Sequence, residues 1–298
     1  MQAEKLKKIP ENIITPAGPK ITQLSRNMIF QIVKYLPFVF ISIIVIAPLI
    51  MIIFISFKSA DEYTMTLPFM PPTRVMFQNY FRAFNEGHLL AALINSFILV
   101  FLGSLGSVLI GTMTAYCLNR FDFFFKKYIK FLYVASFIIP GALLQVVVYQ
   151  LLKMFNLTGT FGAPVLLYIS TDIIQVWIYL QFMENISYSL DESAMLDGAS
   201  YFRIFGSIVL PLLTPATATV LILKSVTIYN DMFTQYLYMS SSKLMTATTA
   251  LMFFSGQFAN TFNIMAAGII IVMIPTVVMF LLLQKRIFAG ITVGAIKE

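Results

Sequence analysis

Few residues in this sequence have the side chains that enzyme and metal sites require. The single cysteine, Cys117, excludes an intrachain disulfide framework and a multi-thiolate metal site, and the single histidine, His88, excludes a histidine-rich metal centre. A phosphate-binding loop needs Gly-x-x-x-x-Gly-Lys followed by Ser or Thr, so that backbone amides surround the phosphates. The sequence contains no Gly-Lys pair. We therefore expect no catalytic residue, no metal and no cofactor bound by this chain.

One polar stretch stands out, and its charged residues are Asp191, Glu192, Asp197 and Arg203. Asp191 can cap a short helix with Glu192 in its first turn, where the positive end of the helix dipole favours an acidic side chain. Gly198 permits a left-handed turn out of that helix, and Ser200 can cap the next one. The spacing predicts a helix, a tight turn and a second helix that leads into Pro211.

The composition indicates the environment in which this stretch is displayed. Of the 298 residues, 59% are hydrophobic and 11% are charged, whereas soluble globular proteins carry about 25% charged residues. These proportions exclude a water-soluble enzyme, a disordered regulator and a fibrous protein. The net charge of +7 is spread between apolar segments, so nucleic acid is not an expected partner. We expect the chain to lie in a lipid bilayer.

Six segments are long and apolar enough to cross a bilayer, since a spanning helix needs about 20 mostly apolar residues. The six segments are 35–57, 89–117, 131–152, 163–183, 207–229 and 264–283. The predicted fold class is therefore an all-α integral membrane protein with six transmembrane helices. The expected domains are an N-terminal arm (1–34), a transmembrane domain (35–288) and a C-terminal tail (289–298).

Lys and Arg are distributed unequally between the two sides of these spans. Fourteen lie on the side that carries both termini, five lie on the other side, and Lys224 lies within the fifth span. Because cytoplasmic loops carry the excess of Lys and Arg, we place both termini in the cytoplasm. The polar stretch, which follows the fourth span, is then cytoplasmic as well.

On physical grounds the polar stretch is either an amphipathic connector that rests on lipid headgroups or a helix displayed to a cytoplasmic partner. Its spacing resembles the EAA motif of permease subunits in bacterial ABC importers, which is E-A-A, three residues, G, nine residues, I, one residue, L-P. The matching residues are Glu192, Ser193, Ala194, Gly198, Ile208, Leu210 and Pro211. The one departure is Ser193, a small residue in place of the middle alanine.

The resemblance covers most of the chain and is greatest to the MalG-type permeases of carbohydrate importers. The segments that carry it are Asn95-Ser96, Ala115-Tyr116 before Arg120-Phe121, Ile139-Pro140, Asn230-Asp231 and the glycine-containing end, 284–297. The family usually has Trp before the Asn-Asp pair, where this chain has Tyr229. That departure leaves the identity of the substrate open.

The resemblance implies the type I permease fold of ABC importers in the bacterial plasma (inner) membrane, with an EAA loop (189–211) that docks on a separate ATPase. The implied ATPase-coupling residues are Asp191, Glu192, Ser193, Ala194, Met195, Asp197, Gly198, Ala199, Arg203 and Pro211. The implied ATPase-contacting residues of the tail are Gly290, Thr292, Gly294 and Lys297.

The resemblance also implies the other components of such an importer. They are a second permease subunit in a heterodimer, two ATPase subunits that bind ATP and Mg²⁺, an extracytoplasmic solute-binding protein and a carbohydrate substrate, in addition to membrane lipid.

Two charged residues lie inside the predicted spans, Asp172 about 13 Å and Lys224 about 8 Å below the outer surface at 1.5 Å per residue. They either form a pair that faces the bundle interior, or Lys224 extends outward while Asp172 meets water or a hydroxyl group. Hydrogen bonding of Asp172 to sugar hydroxyls is compatible with both. Together with Tyr229 and Asn230, these residues are candidates for the substrate path.

Two other functions compete with a sugar permease. An ion-driven secondary transporter is expected to have intramembrane acidic or histidine relays and often an internal repeat, whereas this sequence offers only Asp172 and Lys224 and shows no repeat. An ABC permease for a non-sugar solute stays open. The tail and the Ile139-Pro140 segment favour sugar.

Overall fold

The computed structural model describes residues 20–257 and 261–295, and the regular structure in these ranges is helical. The α-helices are α1 (Lys20–Phe57), α2 (Ala60–Met65), α3 (Gln78–Glu86), α4 (Leu89–Arg120), α5 (Lys126–Ile138), α6 (Gly141–Met154), α7 (Gly162–Ile169), α8 (Ile173–Met183), α9 (Tyr188–Leu196), α10 (Tyr201–Ile204), α11 (Leu210–Leu212), α12 (Thr214–Asn230), α13 (Met232–Tyr238), α14 (Ala247–Gln257) and α15 (Phe262–Ala295). A π-helical segment, Phe205–Val209, joins α10 to α11, and a 3₁₀ turn, Ser242–Leu244, precedes α14.

The described ranges contain four helical segments that are long and apolar enough to cross a membrane. They are Val33–Phe57, Leu89–Arg120, Gly162–Met183 and Phe262–Leu282. Two bent helix pairs pass the same test, Lys126–Ile138 with Leu143–Met154 and Tyr201–Leu212 with Thr214–Asn230. If each bent pair is one span, the number is six, as the sequence predicts.

The third and fifth spans are bent, which we did not predict from the sequence. The third span bends by 114° and the fifth by 76°. Pro140 precedes the first residue of α6, and Pro215 lies in the first turn of α12. Proline lacks the N–H that would continue the preceding helix, and it disfavours the helical conformation of the residue before it, so both spans are interrupted where a proline occurs.

The chain divides into two compact units, Met1–Met51 and Ile52–Glu298. In the first unit the described part is a portion of α1, and its large apolar side chains from Phe30 to Ile50 are mostly exposed. Pro37 and Pro48 lie within this helix. A helix that exposes apolar side chains over such a length is typical of a segment that faces lipid.

The second unit is organised around α4, which packs against α7, α8 and α12. The contacting face of α4 is built from small buried residues, which are Gly103, Ser104, Ser107, Gly111 and Thr112. A Cβ atom on Gly103 would lie 2.8 Å from Cβ of Tyr168 and 2.9 Å from Cδ1 of Ile228. Glycine at this position therefore allows α7 and α12 to approach the α4 backbone, as small residues do in membrane helix bundles.

A reciprocal pair of hydrogen bonds fixes α8 against α4. The buried side-chain amide of Gln175 donates to the backbone carbonyl of Ser107 at 2.7 Å and accepts from the Ser107 hydroxyl at 2.8 Å. Both polar groups are thus satisfied within the bundle, where water is not available to replace a missing partner.

Two main clusters of buried apolar residues lie in this unit. The first, which we name the EAA-side core, is formed by Val108, Ala115, Tyr116, Tyr179, Met183, Ala194, Ile204, Phe205, Val209, Leu213, Ala216 and Val220. The second, which we name the opposite core, includes Leu89, Tyr229, Phe254 and Ile264. The EAA-side core is notable because Ala194 of the EAA loop is one of its members.

The segment between the first two spans is also folded. Lys58 is fully buried, and its ammonium donates to the Thr66 hydroxyl and to the Leu67 carbonyl, each at 2.8 Å. The backbone N–H of Thr73 donates to the Glu62 carboxylate at 2.6 Å and holds the pKa of that carboxyl below its usual value. These contacts define the shape of the segment that precedes α3.

Candidate functional site

The EAA loop folds into the helix, turn and helix that its sequence predicts. Gly198 has a φ of +80°, the left-handed conformation that glycine adopts without strain. The Ala199 N–H donates to the Ala194 carbonyl at 2.9 Å and the Gly198 N–H donates to the Met195 carbonyl at 3.0 Å. This is the Schellman arrangement that closes a helix C-terminus. Ser200 then caps α10, as predicted, by accepting from the Arg203 N–H.

The prediction that Asp191 caps the first of these helices is wrong. The N-cap of α9 is Ser187, whose hydroxyl accepts from the Ser189 N–H at 3.3 Å, and Asp191 lies in the first turn. Asp191 is only 2% exposed, and its Oδ2 atom lies 3.0 Å from Nε of Arg120. Its carboxylate is therefore occupied by an ion pair with the end of α4.

Arg120 is the residue of this site that reasoning from the sequence missed. Its side chain is 7% exposed, and its guanidinium donates to the Ile186 carbonyl at 2.9 Å and lies 5.5 Å from the ring centre of Tyr188. Arg120 thus contacts the residues on both sides of the Ser187 cap, in addition to Asp191. The signal in the sequence was an acidic residue in a segment predicted to be helical and amphipathic, together with a basic residue at the end of the second span.

The EAA loop has an inward and an outward face. Ala194 is buried, and Met195 and Ala199 pack partly buried against the EAA-side core. The methyl group of Ala194 is therefore used for packing within the chain, and its predicted role in coupling to an ATPase stays a prediction. Met195 and Ala199 support the turn in the same way.

The outward face carries large apolar side chains around the turn. Leu196 is 89% exposed and Phe202 is 80% exposed, and Leu190 and Tyr201 are also exposed. These four residues were not among those that we predicted to couple to an ATPase. The predicted residues that are exposed are Glu192, Ser193, Asp197, Gly198, Arg203 and Pro211. The outward face thus combines an apolar pair with charged neighbours, an arrangement that is typical of a surface that contacts another protein or the membrane.

A second cluster of polar groups lies where the fourth span is interrupted between α7 and α8. Asp172 caps α8 by accepting from the Gln175 N–H at 2.8 Å, and its Oδ2 atom lies 2.8 Å from Nζ of Lys224 on α12. Lys224 also donates to the Ser170 carbonyl at 3.4 Å. Of the two arrangements that the sequence left open, the structure contains the ion pair, but the Asp172 side chain is 51% exposed and does not face the interior of this chain.

The other two candidates for the substrate path differ in exposure. Tyr229 is 1% exposed, and its hydroxyl donates to the Val272 carbonyl at 2.8 Å. The ring of Tyr229 is therefore packed within the chain and presents no face to a solute in this structure, and its predicted substrate contact stays a prediction. Asn230 is exposed at the end of α12, and its amide donates to the Val226 carbonyl at 3.0 Å.

The predicted ATPase-contacting tail is helical where it is described. The backbone of Gly290, Thr292 and Gly294 lies in the C-terminal part of α15, which continues from the sixth span to Ala295. Lys297 lies outside the described residues. Within the described ranges, no three His, Cys, Asp or Glu side chains are close enough to hold a metal ion.

Comparisons with known proteins identify similar chains. Residues 107–291 match the family described as binding-protein-dependent transport system inner membrane component. The melibiose/raffinose/stachyose import permease protein MelC of Bacillus subtilis (strain 168) is 31% identical over 252 residues, which cover 84% of this chain and 91% of MelC. The trehalose/maltose transport system permease protein MalG of Thermococcus litoralis is 28% identical over 264 residues, which cover 87% of this chain and 94% of MalG.

A solved structure has the same fold. It is a chain in the crystal structure of a bacterial ABC transporter involved in the import of the acidic polysaccharide alginate. The TM-score is 0.74 at 18% sequence identity, and the match covers 91% of this chain and 99% of that chain.

Proposed function

This chain belongs to the binding-protein-dependent transport system inner membrane components, and from that membership we propose that it imports a sugar or an oligosaccharide with energy from a partner ATPase. It is a multi-pass membrane protein and a permease subunit. The observation that carries the proposal is the EAA loop, a helix–turn–helix that displays apolar side chains outward while a buried ion pair fixes it to α4. In this role the chain forms half of the translocation path.

The outward face of the EAA loop is the proposed docking surface for the ATPase. Leu196 and Phe202 flank the Gly198 turn, and large exposed apolar side chains of this kind supply much of the binding energy when a partner covers them. Glu192, Asp197 and Arg203 then form a charged rim. Movement of the ATPase would be transmitted to α4 through the Arg120–Asp191 ion pair.

ATP hydrolysis is assigned to the partner. The sequence has no Gly-Lys pair from which a phosphate-binding loop could be built, so ATP and Mg²⁺ belong on the ATPase subunits. Two such subunits, one for each permease of a heterodimer, complete the proposed assembly. The tail residues Gly290, Thr292, Gly294 and Lys297 are proposed to contact them.

The carbohydrate substrate is proposed from the relatives. MelC is named for melibiose, raffinose and stachyose, and the Thermococcus protein for trehalose and maltose. The relatives with such names match this chain over most of its length. An ABC permease for a non-sugar solute is the alternative, and uptake of a dipeptide or putrescine would support it.

Exposed surfaces of the chain support the other proposed partners, which are a second permease subunit, lipid and a solute-binding protein. No residue of α5 is buried, which supports a second permease subunit and lipid as the groups that cover this helix. The segment before α3 exposes Met65, Phe69 and Phe77 on the predicted outer side, where a solute-binding protein would dock. The proposed location is the bacterial plasma (inner) membrane, with both termini in the cytoplasm.

The test is reconstitution of this chain with a second permease, an ATPase and a solute-binding protein from the same organism. We expect no ATP hydrolysis by this chain alone, and hydrolysis by the complex that increases when the binding protein is loaded with sugar. Uptake into proteoliposomes is measured for raffinose, trehalose, maltotriose, a dipeptide and putrescine. Uptake driven by a proton gradient without ATP would overturn the proposal.

A pair of variants tests the docking surface. Phe202→Ser should reduce co-purification of the ATPase by about tenfold, because the 80% exposed ring is the largest apolar group beside the turn. Phe124→Ser is the matched control, since Phe124 is 79% exposed outside the EAA loop. Equal loss of the ATPase in both variants would contradict this assignment.

A further inference from the structure

The fourth span contains an interruption that no proline or glycine causes. The three residues between α7 and α8 are Ser170, Thr171 and Asp172. Their non-helical backbone lies within the apolar segment Gly162–Met183. Irregular backbone at membrane depth is tolerated only where protein buries it or where it lines a water-filled cavity.

The exposure of the ion pair distinguishes between these two environments. The Asp172 side chain is 51% exposed, whereas the Lys224 side chain is 15% exposed. A carboxylate that is half exposed in this region faces outward from the chain and not into its packed interior. Ionised groups at this depth face water or other polar groups, since hydrocarbon solvates them poorly. The exposed side of Asp172 therefore faces water or polar groups of another subunit.

The pair retains free hydrogen-bonding capacity. An ionised carboxylate has about four acceptor positions, and in Asp172 the Gln175 N–H and the Lys224 ammonium occupy two of them. The ammonium has three donors. Asp172 and the Ser170 carbonyl accept from two of these. Nearby, the hydroxyls of Tyr133 and Thr171 are 2.6 Å apart.

From these contacts we propose that the interruption of the fourth span lines the translocation path, and that Asp172 and Lys224 form a binding site for the hydroxyl groups of an uncharged solute. The pair carries no net charge, so neither an anion nor a cation is favoured. It presents acceptors and a donor side by side, which is the pattern that a sugar with vicinal hydroxyls can satisfy. This inference rests on the proposed function and assigns a contact site for its substrate.

The first experiment tests the path without any sugar. In a Cys117→Ser background, Ser170→Cys is compared with Ile98→Cys, an exposed position of α4 at about the same distance from the outer end of its span, about 13 Å at 1.5 Å per residue. The complete transporter in membranes is treated with a charged, membrane-impermeant methanethiosulfonate reagent. We expect Ser170→Cys to react at least tenfold faster than Ile98→Cys.

Equal, slow reaction at both positions in a complex that still transports would overturn the path, because it would mean that the second permease covers this face without water. Since this readout needs no substrate, it stays informative if no sugar is taken up. In that case the proposed substrate fails while the water-filled path stands.

The second experiment tests the contact with solute. Asp172→Asn keeps the shape and one acceptor, and we expect it to raise the KM of sugar uptake at least tenfold while the complex still assembles. The double variant Asp172→Asn with Lys224→Met removes both charges and should assemble at least as well as Asp172→Asn alone, because no unpaired charge remains. Normal uptake by the double variant would show that the pair is only structural and would overturn the site.

Discussion

Arg120 and Asp191 meet in a place that water barely reaches, with side chains 7% and 3% exposed. Oδ1 of Asp191 is buried and has no hydrogen-bond partner among the described residues. The charge of Asp191 therefore depends on Arg120 for its compensation. Removal of one partner from a buried pair typically costs about 3–5 kcal/mol, because the other charge is left without a partner.

We expect Arg120→Met to lower the thermal stability of the purified subunit strongly and to abolish sugar-stimulated ATP hydrolysis in the complex. Arg120→Met with Asp191→Leu should recover most of the stability, since both charges are then absent. The measurement is the unfolding temperature in detergent together with coupled hydrolysis. Equal destabilisation in the single and double variants would argue against a dependence of Asp191 on Arg120.

The control for this experiment is another ion pair in the same chain. Arg82 and Glu86 are 2.8 Å apart, but their side chains are 44% and 42% exposed. Exposed pairs contribute about 0–1 kcal/mol because water and salt screen them. Arg82→Met should therefore change the unfolding temperature little.

Gly198 offers a second prediction about a single residue. Its φ of +80° costs a residue with a Cβ atom roughly 1–2 kcal/mol, and a β-branched residue is least suited to it. Gly198→Val should disrupt the turn and reduce both ATPase co-purification and coupled hydrolysis, while membrane insertion is unchanged. Gly198→Asn should retain more activity, because Asn tolerates the left-handed region. Equal activities of the two variants would contradict a conformational role.

The residues of the EAA loop show what the sequence predicts and what it does not. Gly198 and Ser200 were placed correctly because turn and cap preferences depend on local backbone geometry. The N-cap of α9 was assigned to Asp191 although it is Ser187. Asp and Ser are both favoured at the N-cap, so residue type alone does not distinguish these two positions. The partner of Asp191 is distant in the sequence, so Arg120 was used as a charge that sets topology and as part of the family resemblance, but not as a contact of Asp191.

At the scale of helices, the positions of the apolar helical segments were predictable and their interruptions were not. Apolar length determines where a helix can cross a bilayer, and all six predicted segments correspond to single or bent helical segments. A proline leaves a backbone carbonyl of the preceding turn without its hydrogen-bond donor. Whether the helix bends at Pro140 and Pro215 depends on which neighbouring groups then donate to that carbonyl, and the sequence does not show those neighbours. At the interruption of the fourth span, the Asp172 carboxylate accepts a hydrogen bond from the Gln175 N–H. This side-chain acceptor takes the place of a backbone carbonyl, so that α8 begins as a new helix.

Close packing of α4 against α7 leads to a prediction for Gly103. Gly103→Ala should lower the unfolding temperature, because its Cβ atom would lie 2.8 Å from that of Tyr168 and the helices would have to separate. Gly206→Ala is the matched control, since a Cβ atom there meets no other atom within 4 Å. If both variants melt at the same temperature, the close approach does not determine stability.

At the scale of the whole molecule, the long C-terminal helix links the membrane domain to the predicted tail. Because α15 is continuous from Phe262 to Ala295, the tail extends from the sixth span without a flexible joint among the described residues. A helical extension of this kind can hold a fixed position beside an ATPase. The sequence predicted a tail of small residues from position 289 but did not predict that it is helical.

Truncation after Phe288 should lower sugar-stimulated ATP hydrolysis severalfold while membrane insertion and assembly of the two permeases are retained. The measurement compares stimulated and basal hydrolysis in the reconstituted complex. Truncation after Lys297 is the control, because it leaves all of α15 and the four proposed contact residues in place. Unchanged stimulation after the longer truncation would mean that the tail makes no functional contact.

The ion pair in the fourth and fifth spans also has an electrical consequence. Moving one unpaired charge across a membrane potential of 100 mV changes its energy by about 2.3 kcal/mol. Asp172 and Lys224 carry opposite charges 2.8 Å apart, so a movement of the spans that keeps them together displaces almost no net charge. Uptake of an uncharged solute through this chain should therefore proceed at the same rate when a potassium diffusion potential is imposed in either direction.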